Sequence, residues 1–474
     1  MIKTSSILAG LFMVFLFGCK KELKETITGA QLPNETPSSQ SFRTDSASHV
    51  PNELLVRFKK GTVPAGRVKA LERIAGKLKE HVLTNSMRHI GDNEGFHVIS
   101  TPLNALEAIN KIRGAEIENV ELNFIYDHYA TSNDPYFTNG SLWGMYGDKS
   151  PLKTNSFGSQ AAEAWDAGHT GSNTVYIGVI DEGAMHTHRD LAANFDTRYG
   201  WDFANNDGST YDGASDDHGT HVAGTIGAKG GNGEGVAGVC WDVKMITAKF
   251  LGPRGGTTAN AIKAVDYFTN LKKNEGVNIV ATNNSWGGGG YSKELENAIT
   301  RAGEAGILFI CAAGNDGRNI DKTGSHSFPA CYYNWNLIAV AAITSSGSLA
   351  SYSNYGEVGR SDWPEGDPRR GTGTHSFLDI GAPGSGIYST IPSKNGAGSS
   401  YASYNGTSMA TPHVTGAAAL YAATNSTELS KLSNDVEKAR KIKNAILSGA
   451  ASTTSLTNKC ITSGRLDANV TLTK

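Results

Sequence analysis

Between residues 174 and 343, short apolar runs alternate with stretches of helical periodicity, and this alternation restricts the fold more than any other feature of the chain. The runs 174–180, 243–249, 277–283, 307–312 and 336–343 read as strands. Helices are expected at 218–229, 257–272, 292–304, 407–423 and 434–447. A chain patterned this way forms an α/β fold, a mainly parallel β-sheet flanked by helices. Asp181, Asn283 and Asn315 then fall at carboxyl ends of strands, where open α/β sheets bind their ligands. Pro412 inside the last apolar helix is costly by propensity and suggests a local kink.

Ser408 stands between the Gly406 turn and the apolar stretch Val414 to Ala423. A serine hydroxyl is a poor nucleophile unless a base takes its proton and donors receive the developing oxyanion. Asp181 follows the strand 174–180, His218 lies in Asp217-His218-Gly219-Thr220-His221, and Asn315 follows Ala312-Ala313-Gly314. Each has an ordinary explanation alone: Gly-Thr-Ser before a helix is a cap, and an aspartate after a strand is a turn residue. His186, His188, His218 and His221 raise zinc, but there is no His-Glu-x-x-His and no cysteine pair at metal spacing.

Taken together and in order, HGTHVAGT at 218–225, NNSWGGG at 283–289, AAGN at 312–315 and GTSMATPHV at 406–414 resemble the subtilisin-like (subtilase) serine peptidases. The resemblance runs from about Asn133 to near the C-terminus. It implies that Ser408 attacks the scissile carbonyl, His218 is the general base and acid, and Asp181 orients the imidazole. It implies that Asn315 and the Ser408 N–H receive the oxyanion. Asn283, Ser285, Trp286 and Gly287 match the family strand on which an extended peptide docks. Trp286 to Gly289, Ala312, Ala313, Gly314 and Ser327 to Ala330 match the specificity-pocket walls. No acidic residue is expected at the pocket base, so apolar or aromatic side chains are expected there. The family usually has Ser, Thr or Asp after its catalytic aspartate; this chain has Glu182. An exopeptidase or an inactive binding scaffold of the same family is the alternative. An α/β-hydrolase esterase needs a different residue order and a glycine where Ala410 stands.

Lys3 precedes an apolar run from Ile7 to Phe17, which has the length of a signal-peptide core and is too short for a membrane span. The run ends Leu16-Phe17-Gly18-Cys19, which resembles the bacterial lipoprotein box. Residues 1–18 are therefore expected to be a signal peptide, and Cys19 the lipidated N-terminus of an exported, membrane-tethered protein. Residues 19–50, rich in Ser, Thr, Pro and charge, read as a flexible tether.

Residues 51–130 read as a small α+β sandwich. Its strands are expected at Glu53–Phe58, Gly95–Ile99 and Val120–Tyr126. Its helices are marked by Val68, Leu71, Ile74 and Leu78, and by Leu103, Leu106, Ile109 and Ile112. Directly ahead of a catalytic region at 131–474, it resembles the family's inhibitory propeptide, an intramolecular partner removed at maturation. Cleavage is expected within 129–132, with Tyr129 or Ala130 contributing the P1 side chain.

Asp190 and Asn232, with the Glu234 and Val236 carbonyls, match a structural calcium site of many relatives. On the same resemblance Cys311 and Cys331 lie on neighbouring pocket walls, which favours a disulfide between them over free thiols. The segment 357–377 is longer and more charged than the usual connection and reads as a solvated loop, with a partner site or a second processing site at Arg369-Arg370 as the alternatives. Lys+Arg 43 against Asp+Glu 45 gives a formal charge of −2 with no long basic block, so nucleic acid is not an expected partner. Peptides or proteins are the expected substrates.

Overall fold

The computed structural model describes residues 49–124, 131–359 and 375–474. The signal segment, Cys19, nearly all of the tether, residues 125–130 and most of the charged segment after Glu357 lie outside the described residues. The chain divides into two compact units, residues 1–126 and 127–474.

The first unit runs β1 (His49–Phe58), α1 (Pro64–Glu72), β2 (Lys77–Val82), α2 (Asn85–His89), β3 (Phe96–Ser100), α3 (Ala105–Ile112) and β4 (Ile117–Phe124). Its strands form one sheet in the order β2-β3-β1-β4, antiparallel throughout. Leu54, Val56, Phe58, Ile74, Ile99 and Ile112 form the core between the sheet and the helices. Pro64 opens α1, and the Asn104 side chain caps α3 by accepting the Leu106 N–H at 3.0 Å. The helical expectation that reached Leu78 is corrected. Ala75 turns left-handed (φ 47°), the Gly76 N–H closes the helix on the Leu71 carbonyl at 2.8 Å, and Leu78 pairs with Ile99 in β2. Leu78 is 54% exposed, so its helical spacing served no core.

The second unit opens with the short helices α4 (Pro135–Thr138) and α5 (Ala161–Asp166). There follow β5 (Gly171–Asp181), β6 (Trp201–Asp202), α6 (Asp217–Gly227), β7 (Asp242–Lys249), α7 (Thr258–Glu275), β8 (Ile279–Asn284), α8 (Lys293–Glu304), β9 (Leu308–Ala312) and β10 (Leu337–Ile343). Then come β11 (Ile380–Pro383), the hairpin β12 (Ile387–Pro392) and β13 (Ser399–Tyr404), α9 (Thr407–Thr424), α10 (Ser426–Ser430) and α11 (Asp435–Ser448). The chain closes with β14 (Ala451–Ser452), β15 (Gly464–Arg465) and α12 (Ala468–Thr471). All but the hairpin strands join one sheet, β14-β15-β11-β10-β9-β8-β5-β7-β6, parallel except at β14–β15. Every residue of β8, β9 and β10 is buried, as expected of a parallel sheet covered on both faces. Strand order reverses at β5, with β7 and β6 on one side and β8 to β11 on the other, so a crevice opens at its carboxyl end.

Two helices fix this frame from opposite faces. On one, α7 lies so close to β5 that a Cβ on Gly178 would stand 2.7 Å from the Phe268 ring. On the other, α9 is buried along almost its whole length, so it is apolar all round rather than amphipathic. It continues unbroken through Pro412. The proline has no N–H for the Ser408 carbonyl, and the Ser285 hydroxyl donates to that carbonyl instead, at 2.8 Å. Among the described residues, no helix is long and apolar enough to cross a membrane. Gly178→Val is expected to overpack the α7–β5 contact and destabilise the unit by about 1–3 kcal/mol. An unchanged denaturant midpoint would show that the contact yields freely.

Candidate active site

Three element ends carry the expected catalytic side chains. Asp181, the last residue of β5, is fully buried, and its Oδ1 lies 2.9 Å from Nδ1 of His218. An ionised carboxylate can only accept a hydrogen bond, so Nδ1 is the donor here, carries the proton and leaves Nε2 as the base. His218 is the second residue of α6 and keeps 30% of its side chain exposed. Burial opposes the charged imidazolium, but Asp181, with Glu182 and Asp217 beyond it, outweighs burial and pushes His218 up to about 9.

Ser408 is the second residue of α9, and its Oγ donates to the Ser285 carbonyl at 3.0 Å. With the Ser285 hydroxyl on the Ser408 carbonyl, the two serines form a reciprocal clamp. Asn283 Nδ2 holds the Ser285 hydroxyl at 2.9 Å, and Thr415 donates to Asn283 Oδ1 at 2.9 Å. The Asn283 side chain is fully buried and braces the clamp from beneath.

Asn315 lies just beyond β9. Its Oδ1 accepts both the N–H and the hydroxyl of Thr407 at 2.9 Å, which fixes the amide and turns Nδ2 outward. A Cβ placed on Gly406 would stand 3.5 Å from the Ser408 nitrogen and 3.6 Å from Asn315 Nδ2. Two N–H donors therefore converge on one point beside the Ser408 side chain, the arrangement that stabilises an oxyanion. Asn354, unnoticed in the sequence, shapes this turn: its amide donates to the Ala313 carbonyl at 2.9 Å and accepts the Asp316 N–H at 3.1 Å. Gly314 (φ 99°) has no room for a side chain there, since a Cβ would meet Asn354 Nδ2 at 2.4 Å.

A cavity of about 370 Å³ opens next to these groups, lined by Trp286, Gly287, Gly288, Gly289, Ala312, Gly314, Asn315, Asp316, Arg318, His326, Ser327, Thr407 and Ser408. Ala313, expected on its wall, is fully buried behind it. The expectation of a wholly small or apolar pocket is also corrected: Asp316 and Arg318 line it as an ion pair at 3.3 Å. His221 and His413 are neutral framework groups, with burial pushing them down to about 3 and about 4. His221 Nε2 faces the Ile387 carbonyl at 2.9 Å, and His413 Nδ1 faces the Met409 carbonyl at 2.9 Å.

The model described as the subtilase family matches residues 172–466. The chain belongs to the subtilase family. It is 35% identical over 336 residues to an extracellular protease of Xanthomonas campestris pv. campestris, covering 64% of this chain and 51% of that one. The chain therefore spans about half the length of that relative. It is 30% identical over 401 residues to a thermophilic serine proteinase of Bacillus sp. (strain AK1), with 83% of each chain covered. Among solved structures, a chain described as proteases from Pseudoalteromonas arctica PAMC 21717 shares 29% identity at a TM-score of 0.57, over 72% of this chain and 99% of that one.

Two further features of this subtilase bear on its chemistry. Among the described residues, no three His, Cys, Asp or Glu side chains cluster to hold a metal ion. The residues named for calcium meet in part. Asp190 accepts Asn232 Nδ2 at 3.1 Å and the Val236 N–H at 2.9 Å, while Glu234 pairs with Arg189 at 3.3 Å. Asp134, missed in the sequence, is buried beside them and accepts N–H groups from Gly231, Asn232 and Gly233. Burial and, more weakly, Asp190 push the Asp134 carboxyl up against those hydrogen bonds. In this arrangement Asn232 presents its amide N–H and Val236 its backbone N–H to Asp190, so both carboxylates are taken up by donors.

The disulfide expected between Cys311 and Cys331 is absent. Cys240, Cys311, Cys331 and Cys460 are all buried thiols, and Cys331 Sγ accepts the Ser327 N–H at 3.2 Å. Burial pushes the Cys311 thiol well above its ordinary value, which makes it unreactive.

Behind the histidine, Lys249 is 3% exposed and donates to both oxygens of the 4%-exposed Asp216 at 2.8 Å and to Asp212 at 2.8 Å. Asp216 is the residue at which α6 begins, so this triad ties the helix carrying His218 to the end of β7. Lys249→Met is expected to leave the buried Asp216 unpaired and cost about 3–5 kcal/mol. A thermal midpoint equal to wild type would show that the triad does not hold α6.

Proposed function

We propose that this subtilase is a serine endopeptidase in which Ser408 attacks a peptide carbonyl. The observation that carries the reading is the buried Asp181 carboxylate on His218 Nδ1 at 2.9 Å, in a chain whose Ser408 opens α9 beside the Asn315 amide. With Nδ1 committed to Asp181, Nε2 of His218 takes the Ser408 proton and later gives it to the leaving amine. The carboxylate stabilises the imidazolium formed between those steps. Asn315 Nδ2 and the Ser408 N–H take the charge of the tetrahedral intermediate. The extended segment 286–289 that follows β8 offers backbone groups to an extended substrate, and the adjoining cavity takes an apolar or aromatic side chain whose tip reaches the Asp316–Arg318 pair.

Around this core we read an exported protein anchored through Cys19. The first compact unit acts as a propeptide inhibitor, cut away within residues 129–132. Calcium bound at Asp134 and Asp190, with the Asn232 amide turned to present its oxygen, steadies the 231–236 loop. These readings come from the motifs of the sequence and from the buried pair of carboxylates.

The decisive test compares residues 20–474 as wild type and as Ser408→Ala by intact mass and N-terminal sequencing. Loss of the first unit from wild type alone supports self-processing; equal cutting of both assigns maturation to another protease, and full-length wild type under active conditions sinks the propeptide reading. Asn315→Ala is expected to lower kcat by about 10²–10³-fold, the cost of the equivalent loss in subtilisin, with KM little changed. His218 must be unprotonated to act, and its imidazole lies above the ordinary 6.5, so kcat/KM should rise with pH on the alkaline side, through about 9. The same ion pair stabilises the fold at low pH and is lost as pH rises through that value. Excess EDTA should lower the melting temperature and calcium should restore it; an unchanged midpoint would remove calcium from the account.

A further inference from the structure

Glu182 is the visible departure from the family pattern inside the catalytic motifs, and its side chain is half-buried. Its Oε1 accepts the backbone N–H of His218 at 2.7 Å. Its own N–H donates at 2.8 Å to Asp181 Oδ1, the oxygen that also faces His218 Nδ1. Glu182 therefore holds the backbone of one partner and the carboxylate of the other, and it places a second carboxyl group beside the histidine.

We propose that Glu182 is a positioning residue whose ionised carboxylate sets the acidity of the His218 imidazole, so that the pH at which catalysis begins is fixed by a carboxylate cluster and not by Asp181 alone. The proposal rests on the peptidase reading above. Groups from each neighbouring element enter the balance. From the end of β5 comes Asp181; from α6 come Asp217 and His218; from β13 comes Tyr404, whose hydroxyl donates to Asp217. His221 stacks flat on Tyr404, with ring centroids 4.5 Å apart, and burial keeps it neutral. The lysine of this region, Lys249, is held by Asp216 and Asp212.

The order of ionisation gives the cluster its effect. Burial first, and Asp181 second, push Glu182 up to about 7, whereas His218 is held at about 9. As pH rises, Glu182 gains its charge before His218 gives up its proton, and the new charge strengthens the hold on that proton. The device therefore delays the free base toward alkaline pH. It also opposes folding once charged: a carboxyl raised in the fold loses stability as pH climbs from its ordinary 4.5 through about 7.

The test is the pH profile of kcat/KM on a peptide substrate for wild type, Glu182→Gln and Glu182→Asp at constant ionic strength. In Glu182→Gln the acid limb should move down by about one pH unit, a tenfold change in imidazolium acidity, and Glu182→Asp should return it toward wild type. A limb that stays in place overturns the proposal, since a merely structural role would change rates without moving it. Glu182→Ser serves as a second uncharged variant if Glu182→Gln does not fold. In parallel, the His218 ring resonances of Ser408→Ala should titrate in two steps with Glu182 present; a single step also overturns the proposal. That titration requires no turnover, so it judges Glu182 even if the wild type neither cleaves peptides nor reacts with a serine-directed phosphonate, the outcome that sinks the peptidase reading.

Discussion

The burial of α9 against the middle of the parallel sheet is the constraint from which the site follows. The helix packs against β5 and β8 through β11, and nearly every side chain along it is hidden. A helix so enclosed has no freedom to slide or rotate without opening voids, because interiors are packed at crystal-like density. Its first turn therefore stands at a fixed place relative to the strand ends, and Ser408 stands with it. Within that turn the Thr407 N–H goes to Asn315 Oδ1 and the Met409 N–H to the Gly406 carbonyl, which brings the Ser408 N–H beside the Asn315 amide.

Polar groups then lock what packing has positioned. Pro412 removes one helical hydrogen bond, and the structure spends the freed Ser408 carbonyl on Ser285, whose own carbonyl receives the Ser408 hydroxyl. Asn283 and Thr415 support that clamp from inside the core, where an unpaired amide would be expensive. On the other side, Thr407 takes both acceptor sites of Asn315 Oδ1, so the amide presents only donors to the site. These bonds connect β8, β9 and α9 across long stretches of sequence, and each is satisfied before any substrate arrives, which is the preorganisation that oxyanion stabilisation requires.

The parts of this arrangement that were legible in the sequence are those written in local pattern. Five central strands and five helices show through because parallel strands buried on both faces read as continuous apolar runs, and the intervening helices carry periodic apolar faces. Asp181, His218, Asn315 and Ser408 show through because each sits at a strand end or a helix start beside a recognisable motif. What stayed hidden depends on partners far along the chain. The hairpin strand 399–404 is half-exposed and polar, without a clean alternation, so only its pairing with 387–392 makes it a strand. Asn354, Thr407 and Asp134 are ordinary polar residues until the fold brings them under a turn. The inward task of the Asn283 side chain, holding the Ser285 hydroxyl from within the core, is hidden for the same reason.

Glu182 and Lys249 show how one helix terminus accommodates several acids without collapse. α6 begins at Asp216 and Asp217 with His218 next in line, and its positive end tolerates carboxylates that an isolated buried cluster would not. The acids are divided among different tasks. Asp216 is neutralised by Lys249, Asp217 accepts the Tyr404 hydroxyl, and Glu182 accepts the His218 N–H. Asp181 receives the Glu182 N–H and faces the His218 ring. Only the last two carboxylates act on the histidine directly, one through the ring and one through the backbone. The first is fixed by the chemistry of a serine nucleophile, which needs an oriented and stabilised imidazolium. The second is free to vary, because a side chain that touches only a backbone N–H can be replaced by any acceptor of similar reach. A carboxylate at that position changes the field at the imidazole while leaving the geometry of the pair intact, so acidity can be adjusted here independently of the residues that perform the reaction.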